Sequence, residues 1–153
     1  MKGSKLLVKY LSYKDIKLVE NITLILCKTR KDYVRYTRTF MAGFDKPRNK
    51  FFMYFLNCFD RKYQMFLVKK ESDVIGCFAL RIKGPKTIYL YDFTVLSQYR
   101  GKGYSRDIIN LIYELALKRN KNKLCLYVRK TNDTALSLYK SEGFVEYLKN
   151  THL

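Results

Sequence analysis

The sequence has few residues that could bind a metal ion. It contains one histidine, His152, and four cysteines that lie far apart, Cys27, Cys58, Cys77 and Cys125. No two cysteines form a C-x-x-C pair, whereas zinc sites need closely spaced Cys or His ligands. We therefore expect no metal. Each cysteine has apolar neighbours, so we expect four small thiols buried in the core.

The chain also lacks an apolar run of the roughly 20 residues that a membrane span requires. The nearest candidate, FFMYFLNCF at 51–59, is too short and is followed by Asp60, Arg61 and Lys62. The N-terminal stretch has no long apolar segment and no small-residue cleavage site, so it does not resemble a signal peptide. We expect a soluble, cytoplasmic protein without a membrane partner.

Negatively charged residues are scarce. The 153 residues include 31 Lys and Arg against 13 Asp and Glu, which gives a formal charge of +18. This excess favours an anionic partner, such as a nucleic acid, an acidic surface or a phosphorylated cofactor. However, the basic residues are spread along the chain, and an AT-rich genome would also enrich Lys, Tyr, Asn, Ile and Phe. Charge alone therefore assigns no function.

The first third of the chain predicts one strand and several helices. KLLVKYL at 5–11 reads as a strand. The stretch 13–29 that follows places Ile16, Val19, either Ile22 or Thr23, and Leu26 at helical spacing, so we predict a helix there. Residues 31–62 predict one or two further helices, interrupted near Gly43 and Pro47.

The pattern then changes to strands. Segments 64–71, 74–82 and 87–96 are rich in β-branched and aromatic residues and predict an antiparallel meander. A helix over 104–120, a strand over 123–128, a short helix between Asn132 and Gly143 and a final strand over 144–150 complete the order. Without repeats or linkers, we expect one α/β (α+β) domain over 1–153, with a mixed, mostly antiparallel sheet flanked by helices.

The segment QYRGKGYS, residues 98–105, follows a predicted strand and opens a predicted helix. The start of a helix has unpaired N–H groups and a partial positive charge, which favour an anion. Gly101 and Gly103 allow close approach to the backbone, and Arg100 and Lys102 add positive charge. The segment fits neither a Walker loop nor a dinucleotide fingerprint. It predicts a pyrophosphate site, or a glycine-rich turn that binds nothing.

Two motifs in this order resemble the GCN5-related N-acetyltransferases. Gln98-Tyr99-Arg100-Gly101-Lys102-Gly103 matches their Q/R-x-x-G-x-G/A signature, and NDTALSLYKSEGF at 132–144 matches a later N-x-x-A-x-x-[LF]-Y-x-x-x-G-F block. The predicted element order also agrees with that fold over nearly the whole chain. Ser105 departs from the Gly that is common at its position, but Ser is small and its hydroxyl can serve a phosphate.

The resemblance implies acetyl-CoA as co-substrate. Its pyrophosphate would lie on residues that we expect to bind the cofactor, namely Arg100, Gly101, Lys102, Gly103, Tyr104 and Ser105. Its pantetheine arm would pair with the backbone of Phe93, Thr94 and Val95. Asn132 matches a position that contacts the arm, and it is equally well explained as a plain helix N-cap. Tyr139 matches the tyrosine that donates a proton to the CoA thiolate, or else is a core aromatic.

The general base is less clear from the sequence. An alkyl amine of pKa about 10.4 costs about 4–5 kcal/mol to deprotonate at pH 7, which favours a carboxylate base. Asp92 is the one carboxylate on the signature strand. The strand also resembles the spermidine/spermine acetyltransferase branch, which has two adjacent acidic residues where this chain has Tyr91 and Asp92. Strand alternation predicts that these two side chains face opposite sides, which leaves Asp92 either a catalytic base or a structural residue.

The expected reaction is direct attack of an amine on the thioester, because no His near Cys125 in the sequence could activate that thiol for an acyl-enzyme. The acceptor is a small-molecule amine or a peptide or protein amine. A homodimer is left open. We expect the acceptor groove in 13–62, with an apolar wall of aromatic residues that are equally well core: Tyr33, Tyr36, Phe40, Phe51, Phe52 and Tyr54.

Two other classes of function remain. A non-catalytic module would bind CoA without turnover, and the lack of an obvious base favours it. A nucleic-acid binder is supported by the charge and by TRKDYVRYTR at 29–38, although a solvated helix face explains that stretch better, so nucleic acid is not the expected partner.

Overall fold

The computed structural model describes residues 2–148, which form a seven-stranded mixed sheet with two helices on each face. The strands are β1 (Ser4–Tyr10), β2 (Ile22–Leu26), β3 (Gln64–Lys70), β4 (Asp73–Ile82), β5 (Thr87–Val95), β6 (Lys123–Arg129) and β7 (Val145–Glu146). The helices are α1 (Arg30–Gly43), α2 (Phe51–Asn57), α3 (Tyr104–Lys118) and α4 (Asp133–Ser141).

The strands lie in the order β2-β3-β4-β5-β6-β1-β7. Neighbours are antiparallel except β5 and β6, which are parallel and are connected through α3. A parallel pair needs such a crossover, because its strands cannot be joined by a tight turn. β5 belongs both to the antiparallel meander and to the parallel pair, so it joins the two parts of the sheet.

Alternating side chains divide the core between the two faces of the sheet. Phe66, Val68, Phe78 and Leu80 pack with α3 and α4 in the larger cluster. Their neighbours in the strands, Met65, Leu67, Cys77 and Ala79, pack on the other face with Tyr36 of α1. Because side chains of a strand alternate between faces, both sides of β3 and β4 are buried.

Most of the predicted elements are confirmed. The meander of β3, β4 and β5 is antiparallel, and α3, β6 and α4 follow it in the predicted order. α1 begins with a reciprocal capping box between Thr29 and Asp32 and ends at Gly43, near the predicted interruption. Asn132 caps α4 as predicted, and Gly143 follows its end with φ +90°.

The helix predicted over 13–29 is wrong. This region contains a 3-10 turn at Tyr13–Asp15 and then β2, which pairs along its full length with β3. Ile22, Leu24 and Leu26 pack against one core cluster and Ile25 against the other. A short run that is apolar on both sides cannot be assigned from periodicity, and here cross-strand pairing overrides the helical spacing.

The final strand is shorter than predicted. β7 contains two residues, which pair with Leu7 and Val8 of β1, and residues 149–150 of the prediction lie outside the described part of the chain. Between residues 2 and 148, no helix is both long and apolar enough to cross a membrane. The same residues contain no cluster of three or more His, Cys, Asp or Glu side chains that could hold a metal ion.

Candidate functional site

β5 and β6 separate in the middle of the sheet. The described ladder between them covers Thr87–Leu90 of β5 and ends there. On its other edge, β5 remains paired with β4 as far as Val95. The end of β5, with Phe93, Thr94 and Val95, therefore presents one strand edge on which an extended ligand can pair as an added strand.

A β-bulge lies in β5 just before this open edge. Cys77 pairs with Thr94 and Ala79 pairs with Tyr91, so one residue of β4 opposes two of β5. One of these two, Asp92, has φ +58°, a left-handed conformation that is uncommon for residues other than Gly. Bulges re-aim side chains and occur next to active sites.

The bulge makes the predicted alternation of Tyr91 and Asp92 wrong. Both residues line one cavity on the face of the sheet that carries α1 and α2. Regular alternation requires consecutive extended residues, and the left-handed backbone at Asp92 interrupts it. No feature of the sequence indicates the bulge, because the left-handed conformation does not require Asp.

Asp92 is held by α1. The hydroxyl of Tyr36, itself only 2% exposed, donates a hydrogen bond of 3.1 Å to Oδ2 of Asp92. Burial raises the pKa of the Asp92 carboxyl above its ordinary value, and the Tyr36 hydrogen bond partly opposes that rise. A carboxylate with a raised pKa is a stronger base, which suits general-base chemistry near neutral pH.

Two neighbouring cavities lie against Asp92, between the sheet and the two helices. The first has a volume of about 250 Å³ and is lined by Tyr36, Thr37, Phe40, Tyr54, Asn57, Cys58, Met65 and Asp92. The second, of about 320 Å³, shares Asn57, Met65 and Asp92 and adds Asp60, Tyr63 and Tyr91. Together they provide a half-aromatic space with two carboxylates, which suits a small amine-bearing group.

The glycine-rich loop leads from a 3-10 turn, Ser97–Tyr99, into α3. Gly101 and Gly103 have φ of +77° and +84°, and Gly103 immediately precedes the helix. Within the described residues, the N–H groups of 101–103 donate no hydrogen bond. A Cβ on either glycine would point into open space. The loop thus combines free amides with room for a ligand, as an anion site at a helix start requires.

The side chain of Arg100 makes two contacts that the sequence did not predict. Its Nε donates to the carbonyl of Val95 at 2.7 Å and its Nη2 to the carbonyl of Gly43 at 3.0 Å. The guanidinium therefore joins the end of β5 to the end of α1. The sequence could not indicate this contact, which spans 57 residues of chain.

The end of α1 lies directly against β5. A Cβ placed on Gly43 would come within 2.4 Å of Oγ1 and Cγ2 of Thr94. Residues in proteins do not approach so closely, so this contact requires glycine. The sequence identified Gly43 only as a helix break, and its packing role is a second one.

Tyr139 lies on the opposite face of the sheet from Asp92. Its ring is 8% exposed and packs against Phe144 with centroids 5.4 Å apart, in the cluster that also contains Val95. Burial raises the pKa of Tyr139 to about 12. Among residues 2–148, the Tyr139 hydroxyl has no hydrogen-bond partner. Every fully buried side-chain N or O atom of those residues has a partner, so the Tyr139 hydroxyl is not fully buried and is accessible to solvent.

The remaining candidate residues have mixed outcomes. Asn132 accepts a hydrogen bond from the N–H of Ala135 at 3.1 Å, which establishes its N-cap role and leaves its amide nitrogen free among the described groups. Of the predicted aromatic wall, Tyr36, Phe40 and Tyr54 line the cavity at Asp92, whereas Phe52 is 74% exposed.

All four cysteines are free and buried, as predicted. Cys27, Cys58 and Cys77 belong to one cluster on the α1 and α2 face, a grouping that the sequence did not reveal. Burial raises the pKa of Cys27 to about 12 and also raises the pKa values of the other three. These thiols are therefore poor nucleophiles.

Comparisons with known proteins bear on the family and the fold. The sequence model of the family described as "Acetyltransferase (GNAT) family" matches residues 29–144. An uncharacterized N-acetyltransferase, YycN of Bacillus subtilis, is 32% identical over 79 residues, which cover 50% of this chain and 51% of YycN. A thialysine N-epsilon-acetyltransferase of Mus musculus is 38% identical over 58 residues, which cover 38% of this chain and 34% of that enzyme.

The chain thus spans about half of the first of these relatives and about a third of the second. Among solved structures, an acetyltransferase of the same family from Elizabethkingia anophelis, with acetyl-CoA bound, superposes with a TM-score of 0.63 at 17% identity. The superposition covers 83% of this chain and 78% of that one. At 17% identity, the superposition establishes a shared fold and nothing more specific.

Proposed function

This chain belongs to the acetyltransferase (GNAT) family, and we propose that it transfers an acetyl group from acetyl-CoA to an acceptor amine by direct attack on the thioester. The observation that carries the proposal is that a free strand edge at Phe93–Val95 is followed, a few residues later in the chain, by the unpaired amides of the loop 101–103. These two features accept an extended arm and an anion, which are the two halves of CoA outside its adenosine.

The loop residues would hold the pyrophosphate mainly through the backbone. The amides of Gly101, Lys102 and Gly103 are free for it, and Tyr104 and Ser105 begin α3 next to them. Arg100 would act by fixing the end of β5 through the Val95 carbonyl. Asn132 retains an amide nitrogen that can reach the pantetheine arm while its oxygen caps α4.

Asp92 would remove the proton from the attacking amine, directly or through a water molecule. Its carboxylate lines both cavities, and its raised pKa favours proton uptake. The amine must be neutral to attack, and its proton must leave as the C–N bond forms. Asp60 and the aromatic side chains around the second cavity would then bind the rest of a cationic acceptor.

Tyr139 would assist departure of the thiolate. With a pKa of about 12, Tyr139 remains protonated at neutral pH, and this pKa is higher than the pKa of roughly 8.5 of a thiol. It therefore stabilises developing negative charge on sulfur by donating a hydrogen bond and completes proton transfer only with a strongly basic thiolate. The raised thiol pKa values of this chain support direct attack over an acyl-enzyme.

The acceptor class follows from the cavities at Asp92. Their combined lining includes two carboxylates and four tyrosines, which suits a small primary amine more than a bulky one. The mouse relative is named for an acceptor of this kind, an amine at the end of a flexible side chain. Small alkyl amines and lysine-like amino acids are therefore the first acceptors to test.

The direct test measures CoA release with a thiol reagent across a panel of alkyl amines, polyamines, amino acids and short peptides. We expect release with a small amine and a fall in kcat of about tenfold to a hundredfold in Tyr139→Phe, with little change in the KM for acetyl-CoA. Acetyl-CoA binding by calorimetry without release for any acceptor would instead support a non-catalytic module. Failure to bind acetyl-CoA would contradict the proposal altogether.

A further inference from the structure

α2 and the residues just after it carry a row of large apolar side chains that are about half or more exposed, although the Phe59 ring also contacts Tyr33 and Phe55. We call Phe52, Met53, Leu56 and Phe59 the α2 face. Their exposed fractions are 74%, 49%, 65% and 55%. Single exposed apolar residues are common on protein surfaces, but four on and just after one seven-residue helix form a patch that marks an interaction site.

Neither the core nor the reaction cavity explains the α2 face. At about 100° per residue, Phe52, Leu56 and Phe59 lie on one side of the helix. The opposite side carries Tyr54 and Cys58, which line the cavity at Asp92. Phe55 is the one residue of α2 in the buried core. The α2 face therefore points away from the cavity at Asp92 and meets the core at one edge, where Phe59 contacts Phe55.

Basic residues lie on both sides of the α2 face along the chain. The segment 44–62 contains Lys46, Arg48, Lys50, Arg61 and Lys62 against two acidic residues, Asp45 and Asp60. Residues 2–148 contain four ion pairs, and none of them involves any of these five basic residues. Arg38, on the neighbouring helix, lines a cavity with Lys46, Arg48 and Phe51, the residue that precedes the α2 face. The basic residues of this segment outnumber the acidic ones by three, and we call the five of them the positive rim of the patch.

The positive rim favours one of three possible binding partners for the α2 face, namely a second copy of the chain, another protein or a lipid surface. A second copy of the chain, packed about a twofold axis, would bring the same five cations against one another. A protein partner would need a groove shaped for a convex helix. A lipid surface needs no such groove, and its anionic headgroups match the rim.

We propose that the α2 face attaches this protein to anionic lipid bilayers. The aromatic and aliphatic side chains would lie at the boundary between headgroups and acyl chains, with the basic rim on the lipid phosphates. This is attachment to a surface and is compatible with the absence of a spanning helix among residues 2–148. The proposal departs from the sequence-based expectation of no membrane partner, which rested on the lack of an apolar run long enough to span a bilayer; attachment to a surface needs no such run.

Vesicle sedimentation of the full chain tests the proposal. We expect binding to phosphatidylcholine vesicles that contain about a third phosphatidylglycerol, at least about tenfold stronger than to pure phosphatidylcholine, and weaker at high salt. The double variant Phe52→Ser, Leu56→Ser should lose at least about tenfold in binding. The matched control is Leu18→Ser, which removes a leucine of 88% exposure elsewhere and should bind as the parent chain does.

The absence of tryptophan offers a second readout. Phe52→Trp places a single fluorophore on the α2 face, and its emission should shift to the blue with the anionic vesicles and be quenched by brominated lipid. Leu18→Trp should show neither change. An unshifted Phe52→Trp spectrum, or equal binding to both vesicle types, overturns the proposal.

Light scattering after size exclusion identifies the other occupants. A dimer of the parent chain that Phe52→Ser, Leu56→Ser makes monomeric would assign the α2 face to self-association and overturn the proposal. Acetyl-CoA binding by calorimetry should be the same in the double variant and the parent, so the result is independent of the acetyltransferase assignment.

Discussion

At the scale of single residues, Asp92 is the most informative position. Its carboxyl is largely removed from water, and its ionisation is balanced between burial, which raises its pKa, and the Tyr36 hydrogen bond, which lowers it. A base must be deprotonated to act, so activity should rise with pH through the pKa of Asp92. The position is therefore testable by pH dependence as well as by loss of rate.

Tyr36→Phe should move the acid limb of the kcat/KM profile to higher pH. The substitution removes the one hydrogen bond that the side chains of residues 2–148 donate to the Asp92 carboxylate, so the pKa of the carboxyl rises further. The control is Tyr33→Phe, a neighbouring tyrosine whose hydroxyl donates to the carbonyl of Cys27 instead. The measurement uses one acceptor throughout, because the amine itself also titrates. An unmoved acid limb in Tyr36→Phe would exclude Asp92 as the base.

Asp92→Asn should make the protein inactive but more stable at neutral pH. Because the folded pKa of Asp92 is above its unfolded value, folding favours the protonated form. The contribution of Asp92 to the free energy of unfolding is therefore fully present at pH values below the unfolded pKa, and it is lost as the pH rises through the folded pKa. Asn carries no charge and does not lose stability in this way. The midpoint of thermal unfolding at pH 7 should therefore be higher for Asp92→Asn than for the parent chain, whereas at low pH the two midpoints should be equal. A lower midpoint for Asp92→Asn at pH 7 would contradict this account.

At the scale of elements, the site depends on three backbone features: the bulge in β5, the left-handed glycines before α3 and the contact between α1 and β5. Each is a place where the chain departs from regular structure. Each also lies where β5 leaves β6. The regular elements hold these departures in position, which is the arrangement expected of a functional site on a rigid scaffold.

Gly101→Ala and Gly103→Ala should weaken acetyl-CoA binding by more than they lower stability. Both positions have φ near +80°, which costs an alanine about 1–2 kcal/mol, and both would place a methyl group in the space reserved for the anion. Gly84→Ala is the matched control, since Gly84 has φ +108° in a turn remote from the loop. Calorimetry and thermal unfolding separate the two effects. Equal losses of affinity in all three variants would indicate a purely structural role for the loop.

Gly43→Ala should disturb the cofactor strand from a distance. The new methyl group would collide with the Thr94 side chain, forcing α1 and β5 apart at a cost of about 1–3 kcal/mol. We expect a lower unfolding midpoint together with a higher KM for acetyl-CoA. Adding Thr94→Ala removes two of the colliding atoms and should restore part of both. A Gly43→Ala chain with normal stability and KM would show that the contact is not needed.

At the scale of the whole molecule, the charge of +18 should act mainly on encounter with anionic ligands. Acetyl-CoA is a polyanion, so its association rate should fall as ionic strength rises, while its dissociation rate changes little. Stopped-flow binding at several salt concentrations measures both. An association rate that is independent of salt would show that the basic residues do not steer the cofactor.

The same charge leaves the nucleic-acid alternative open to a direct test. The stretch 29–38 that suggested it forms the start of α1, where Tyr33 and Tyr36 face the core and Arg30, Lys31, Arg35 and Arg38 are exposed. Oligonucleotide binding with a steep dependence on salt would support that alternative. Equal acetyl-CoA turnover with and without oligonucleotide would show that the two activities are separate.

Local pattern was sufficient for most of the fold. The meander, α3, β6 and α4 could be predicted because their periodicity, turn residues and caps all agree. The 98–105 loop could be predicted because helix starts and glycine spacing are properties of neighbouring residues. β2 could not, since its apolar run fits two periods and its pairing with β3 lies about 40 residues away along the chain.

By itself, the sequence determined the order of elements, the glycine-rich loop, and the placement of Asp92 and Tyr139 on a strand and a helix of the same domain. Only the tertiary structure decided what surrounds those residues. It placed the Tyr36 hydroxyl on Asp92, the Arg100 guanidinium on Gly43 and Val95, and the α2 face in the open. The physical reason is range: periodicity and caps act over a few residues, whereas the Tyr36–Asp92 and Arg100–Gly43 hydrogen bonds join residues 56 and 57 positions apart along the chain.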